Sequence, residues 1–123
     1  MALQEGVISL TLEAGSDLSA DQFKGVIIAA DGQVDLNGVA GGPITGILQN
    51  DPDAAGKAAT VGYFGVSKVI YGGTITAGNK IQINATGLAE LAASADHVVG
   101  TALVSGVIND VGSVLLTSQH ILG

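Results

Sequence analysis

Nineteen glycines divide this chain into apolar runs too short for a stable helix, and that spacing constrains the fold more than any single motif. Residues 7–12 alternate, with Ile8, Leu10 and Leu12 on one face and Ser9 and Thr11 on the other. An apolar run from Lys24 to Ala30 is turned at Asp31-Gly32 into Gln33-Val34-Asp35-Leu36, a strong hairpin signal. Ile47 and Leu48 run into an Asn50-Asp51-Pro52 turn. A small-residue loop, a second strand through Val61, then Gly65 and a third strand with Val66 and Val69 complete a tight β-meander. Residues 75–83 suggest another hairpin around Ala77-Gly78-Asn79, with Ile81 and Ile83 pointing one way and Gln82 and Asn84 the other. Residues 98–104 and 111–117 read as the closing strands.

The pattern implies an all-β single domain, a small barrel or tulip-like sandwich of short strands. Residues 88–95 contain good helix formers over barely two turns. The reading here is a strand through 88–91 and then a loop, with one short helix as the competitor. Residues 1–6 are expected to be a flexible N-terminal arm, 7–117 the β domain and 118–123 a C-terminal tail. A chain of 123 residues buries about two thirds of its unfolded surface without covalent staples. Aromatics are limited to Phe23, Tyr63, Phe64 and Tyr71, so Val, Ile, Leu and Ala must build the core.

The chain also echoes itself. Lys24 and Lys80 are 56 residues apart, Gly32 and Gly87 are 55, and Gly46 and Gly100 are 54, each within a strand–turn–strand context. Duplication and low-complexity coincidence are both open on this evidence, and duplication would suit a pseudo-symmetric barrel or sandwich.

Eleven acids face four lysines (Lys24, Lys57, Lys68 and Lys80), and arginine is absent. At a net charge of −7 such a chain cannot grip phosphate backbones, which excludes nucleic-acid binding. The Met-Ala-Leu-Gln-Glu start has neither a basic nor an apolar leader region, so no secretory signal is expected, and synthesis is expected in the cytoplasm. No apolar run reaches the length of a membrane span. Without cysteine there is no disulfide and no thiolate metal site.

Chemistry is hard to find. His97 and His120 have no G-x-S-x-G serine to activate, so a hydrolytic triad is not assembled. Asp31 with Asp35, and Asp51 with Asp53, lack the full oxygen set of a calcium loop, and turn formation explains them. Gly41-Gly42-Pro43 and Tyr71-Gly72-Gly73 are not followed by the Lys-Ser/Thr of a phosphate loop. Lys68 is the one residue with a rival reading. A displayed lysine on a duplicated β domain is the arrangement of lipoyl and biotinyl carriers, but Ser67-Lys68-Val69 lies within an apolar strand rather than at a hairpin tip. No enzyme activity, catalytic residue, metal or cofactor is expected.

The wording of Gly46-Ile47-Leu48-Gln49-Asn50-Asp51-Pro52-Asp53, continued through Val61-Gly62-Tyr63-Phe64-Gly65-Val66, resembles the capsid decoration, or head cement, proteins of tailed bacteriophages. So do Glu13-Ala14-Gly15-Ser16-Asp17-Leu18, Ala30-Asp31-Gly32 and Gly73-Thr74-Ile75-Thr76-Ala77-Gly78, and together they span roughly residues 7–117. The resemblance implies a non-enzymatic virion protein on the outer capsid surface, holding the major capsid protein lattice of the expanded head, commonly as a homotrimer. It also implies an N-terminal arm that reaches the shell, which makes Met1, Ala2, Leu3, Gln4, Glu5, Val7 and Ser9 the expected capsid contacts; the equal alternative is that residues 7–12 are simply the domain's own first strand. Leu115, Ile121 and Leu122 are the expected subunit interface, because large apolar side chains near a terminus need cover. Two departures stand out: Gly100-Thr101-Ala102-Leu103 is followed by Val104-Ser105 rather than an acid, and the chain runs on through Ile121 and Leu122. A tail or fibre subunit is the remaining structural alternative.

Overall fold

The computed structural model describes residues 4–122 and contains nine strands in one sheet, with no helix among the described residues. They are β1 (Glu5–Ala14), β2 (Gly25–Ala30), β3 (Gln33–Leu36), β4 (Gly46–Leu48), β5 (Ala58–Ile70), β6 (Lys80–Ile83), β7 (Ala89–Leu91), β8 (His97–Ala102) and β9 (Val111–Ile121). The all-β expectation holds, and residues 88–95 form a short strand and a loop rather than a helix.

Their order in the sheet is β1-β3-β2-β4-β5-β9-β8-β6-β7, and β1 also pairs with β5. The first five strands therefore close into a ring. A second ring runs through β5, β9, β8, β6 and β7. It closes where Tyr71, the residue after β5, bridges Ala89 in parallel and Gly72 N–H bonds Ala89 O. The two rings share β5.

Their registers superpose pair by pair. Ser9↔Gly62, Leu10↔Val61, Thr11↔Thr60, Leu12↔Ala59 and Glu13↔Ala58 in the first ring recur as Val66↔Leu115, Ser67↔Val114, Lys68↔Ser113, Val69↔Gly112 and Ile70↔Val111 in the second. Val26↔Leu36 and Ile28↔Val34 recur as Ile81↔Leu91 and Ile83↔Ala89. Val26↔Gly46 recurs as Ile81↔Gly100. The fold is thus a tandem repeat in which β5 ends the first unit and begins the second. The glycine echoes in the sequence mark true equivalences. The lysine echo is one residue out of step, since it is Gly25, not Lys24, that corresponds to Lys80.

Each ring holds its own core. Leu12, Ala14, Leu18, Val26, Val34, Leu48, Ala59 and Val61 cluster in the first. Their counterparts Val69, Tyr71, Ile75, Ile81, Ala89, Ala102 and Val114 cluster in the second, joined by Ile44 and Ile47 from the first unit. Volumes are traded rather than copied. Tyr71 stands where the first ring has Ala14, and it fits because Gly112, Ala89 and Ala102 replace Ala59, Val34 and Leu48 around it. Tyr71 is fully buried, and its hydroxyl donates to Val104 O at 2.7 Å.

Three local expectations change. The meander of residues 46–69 has two strands, not three, because β5 runs unbroken past Gly65. That glycine has φ +95°, and a Cβ there would overlap the Gly6 carbonyl, so it permits close approach of β1 rather than ending a strand. Residues 75–83 are not a hairpin, because Ile75 bridges Gly106 while β6 lies between β7 and β8. Pairing also begins at Glu5 and continues to Ile121, so strand structure enters both segments read as arm and tail. One strained position is also shared between the units. Phe23 has φ +66° and bonds Leu48 O through its N–H, as Gly78, at φ +94°, bonds Ala102 O.

Burial raises the Tyr71 hydroxyl above its ordinary value of 10.0. The folded state thus favours the neutral phenol, and this contribution is complete below pH about 10 and lost as pH rises beyond it. Tyr71→Phe is expected to lower stability by about 1 kcal/mol at neutral pH, by orphaning Val104 O. It should also flatten the alkaline fall in melting temperature. Thermal melts of both proteins from neutral pH to above pH 10 check this, and parallel pH profiles would contradict it.

Candidate functional site

Among the described residues no cleft opens in the surface, and no group of three His, Asp or Glu side chains could hold a metal ion. Several titratable groups are occupied locally. Asp35 accepts from Ser16 Oγ at 2.5 Å, and Asp53 pairs with Lys57 at 2.8 Å. The Lys57 ammonium holds Asp53 below the usual carboxylate range and is itself raised, while the Ser19 hydroxyl and N–H lower Asp17. All of these lie at the surface, where such pairs contribute little. His97 sits at the start of β8 with Nδ1 3.2 Å from Gly41 O, a structural contact.

Lys68 does not stand at a hairpin tip. It lies well inside the 13-residue β5, opposite Ser113. Its N–H donates to Gln4 Oε1 at 2.9 Å, and its ammonium rests 5.9 Å from the centre of the Phe23 ring. A carrier lysine swings free of its domain, and this one is held against it.

Surfaces are what remain. Met1, Ala2 and Leu3 lie outside the described residues. Gln4 is tied down, donating through Nε2 to Gln49 Oε1 at 2.6 Å while accepting from Lys68, and Glu5 pairs with Val66. Val7 is half-buried against Gly62, and Ser9 is exposed. β3 flanks β1 only at Glu13 and Ala14. Over the rest of β1, that edge carries no strand among the described residues. Exposed Ile8 and Leu10 border it. An unpaired edge with apolar neighbours is suited to receiving an extended segment. The sequence reading placed residues 1–6 in a loose arm and Val7 and Ser9 on a strand, and the structure draws Glu5 and Gly6 into that strand. The structure offers the edge of an ordered strand.

The three expected interface residues do not form one patch. Leu115 is exposed on β9, facing Val66 on β5 and Thr101 on β8. Ile121 lies six residues further along β9, about 20 Å away at strand rise. Leu122 is bonded into the loop before β8, its N–H to Asp96 O and its carbonyl to Ala95 N–H. Phe64, Leu103, Val107, Ile108 and Val111 are also exposed, and sequence reading missed all five. Alternation could not find Leu103, Val107 and Ile108, because they lie in the loop between β8 and β9 rather than on a strand.

No protein-family model matches the sequence, and no curated protein is similar to it. Among solved structures, the chain is similar to the head fiber gp8.5 N base in bacteriophage phi29, with a TM-score of 0.72 at 15% identity. The likeness covers 95% of this chain and 99% of that one. At such identity it establishes the fold, and the fold alone does not fix a function.

Proposed function

We propose that this chain is a non-enzymatic structural protein of a tailed-phage virion, bound to the outside of the expanded head and stabilising its major capsid protein lattice. The observation that carries this reading is the end-to-end likeness to a phage head fiber base. The resemblance of the sequence to decoration proteins points the same way. The arginine-free, acidic composition suits the outer face of a DNA-filled shell rather than its lumen. The free edge of β1, with residues 4–9 along it and Met1, Ala2 and Leu3 preceding them in sequence, is the capsid-facing segment in this reading, and the protein acts as a homo-oligomer, a trimer by that resemblance. A second reading is favoured by what the neighbour is, a fiber base. Here the same surface would seat a head appendage and add nothing to the lattice.

Purified protein mixed with expanded, undecorated heads and with unexpanded ones tests both. Binding to expanded heads alone, seen by electron microscopy, with a raised melting temperature of the heads is the expected result. Sparse attachment without a change in melting favours the appendage reading, and no binding to either particle would sink both.

A further inference from the structure

We infer that the outer face of the second repeat, formed by β8, β9 and the C-terminal half of β5, binds a second copy of this chain. This gives a surface to the homo-oligomer of the preceding section and rests on that part of the reading.

The two repeats serve as controls for each other. At matched backbone positions the first repeat carries Ser9, Glu13, Ala58 and Gly62, and the second carries Val66, Ile70, Val111 and Leu115. Gln49, whose N–H bonds Thr60 O, corresponds to Leu103, whose N–H bonds Ser113 O. The fold closes its first ring with polar or small residues at every one of these sites. Folding therefore does not require the apolar set that the second ring displays.

The loops before β5 and β9 repeat the contrast. Both are anchored alike. Leu18 N–H to Pro52 O, Gly56 N–H to Ala14 O and Ala14 N–H to Lys57 O recur as Ile75 N–H to Gly106 O, Asn109 N–H to Tyr71 O and Tyr71 N–H to Asp110 O. Gly56 and Asn109 share a positive φ. Between these anchors the first loop carries Asp53, Ala54 and Ala55, while the second carries Val107 and Ile108, which are 53% and 60% exposed. The acid of the second loop, Asp110, is turned back onto Val107 N–H at 2.9 Å. An ordered loop that holds two large apolar side chains in water marks a contact surface.

Charge identifies the occupant. Eight of the eleven acids (Glu5, Glu13, Asp17, Asp21, Asp31, Asp35, Asp51 and Asp53) precede residue 54, against Lys24 alone. Residues 54–123 carry three acids (Glu90, Asp96 and Asp110) and three lysines (Lys57, Lys68 and Lys80), so the whole net charge belongs to the first 53 residues. β5, β8 and β9 contain no acid. The one lysine of these strands, Lys68, rests over the Phe23 ring, and the nearest acid, Glu5, lies at the rim opposite Val66, so two copies joined through this face meet mainly through apolar surface and hold their acidic halves apart. A strongly charged partner would find only Lys68 and the rim residue Glu5 here to pair with, and its remaining charges would lose water uncompensated.

Sedimentation of the purified chain across a salt series tests this. Assembly is expected, tightening as salt screens the remaining repulsion. The variant Val66→Ser/Leu103→Gln/Val111→Ala installs first-repeat residues at matched sites. It should weaken self-association by more than about tenfold while keeping the wild-type circular dichroism. Ala58→Ser, at the first-repeat counterpart of Val111, should leave self-association unchanged. If the triple variant does not fold, Val107→Asp/Ile108→Ala decides by the same criterion. A wild-type chain that is monomeric at every salt concentration, or a folded variant that assembles like wild type, overturns the proposal. Head binding is read separately. A monomer that decorates heads refutes this interface and spares the function, and an assembled chain that ignores heads does the reverse.

Discussion

Gly112→Ala is expected to be among the most destabilising single substitutions in this protein, because the new methyl group would overlap the Tyr71 ring and its hydroxyl. The ring has no room to retreat, being fully buried and bonded to Val104 O. Overpacking at such a site costs about 3 kcal/mol or more. Tyr71→Ala alone should cost about 3–5 kcal/mol, through the cavity it leaves. With the Tyr71 ring gone, the methyl added at residue 112 meets no overlap, although Ala89 and Ala102 still leave the layer emptier than the Val34 and Leu48 of the first ring. The double variant should therefore be more stable than the sum of the single losses predicts, by about 1–3 kcal/mol. Urea denaturation of the three variants measures the coupling. Simple additivity would show that Tyr71 and Gly112 are not the compensating pair described.

The second large effect concerns the matched glycines Gly46 and Gly100. A Cβ at Gly46 would collide with Gly62 O and crowd Val61 Cγ1, and one at Gly100 would collide with Leu115 O and crowd Val114 Cγ1. In both places the obstacle is the backbone of the facing strand plus a core valine, so neither can yield cheaply. Alanine at either site should cost at least about 2–3 kcal/mol and should affect both rings, since β5 belongs to each. A single cooperative transition lowered by either substitution is the expected result. Separate transitions, each sensitive to one glycine, would show that the rings melt independently.

Much of this architecture was legible before the structure. The Asp31-Gly32 turn between two apolar runs gave β2 and β3 with their boundaries nearly right, because that dipeptide meets a turn demand that few others meet. The spacing of Gly32 with Gly87 and of Gly46 with Gly100 was legible because each pair answers the same backbone constraint twice. Side chains under less constraint drifted, which is why the lysine spacing misled by one residue. Gly65 misled in another way. A glycine inside an apolar run reads as a break, and its use here, admitting another strand across β5, depends on a contact 59 residues away in sequence (Gly6 to Gly65). The outward apolar residues were invisible for a related reason. Leu103 lies in the apolar run Ala102-Leu103-Val104, and only comparison with its counterpart Gln49 in the other repeat separates core from surface there.

The shared strand also governs how the molecule would carry load. β1 and β9 both run antiparallel to β5, and they grip opposite edges of it around Val66, which pairs with Glu5 on one side and Leu115 on the other. The chain leaves this junction in opposite directions, upstream of Glu5 along one end of β5 and through Leu116 toward Ile121 along the other. Tension between the two termini would therefore be directed along the strands rather than across them. The β1–β5 and β5–β9 ladders would be sheared as whole sets of hydrogen bonds instead of being unzipped one at a time. Shear of whole ladders is the loading under which a β-sheet yields last.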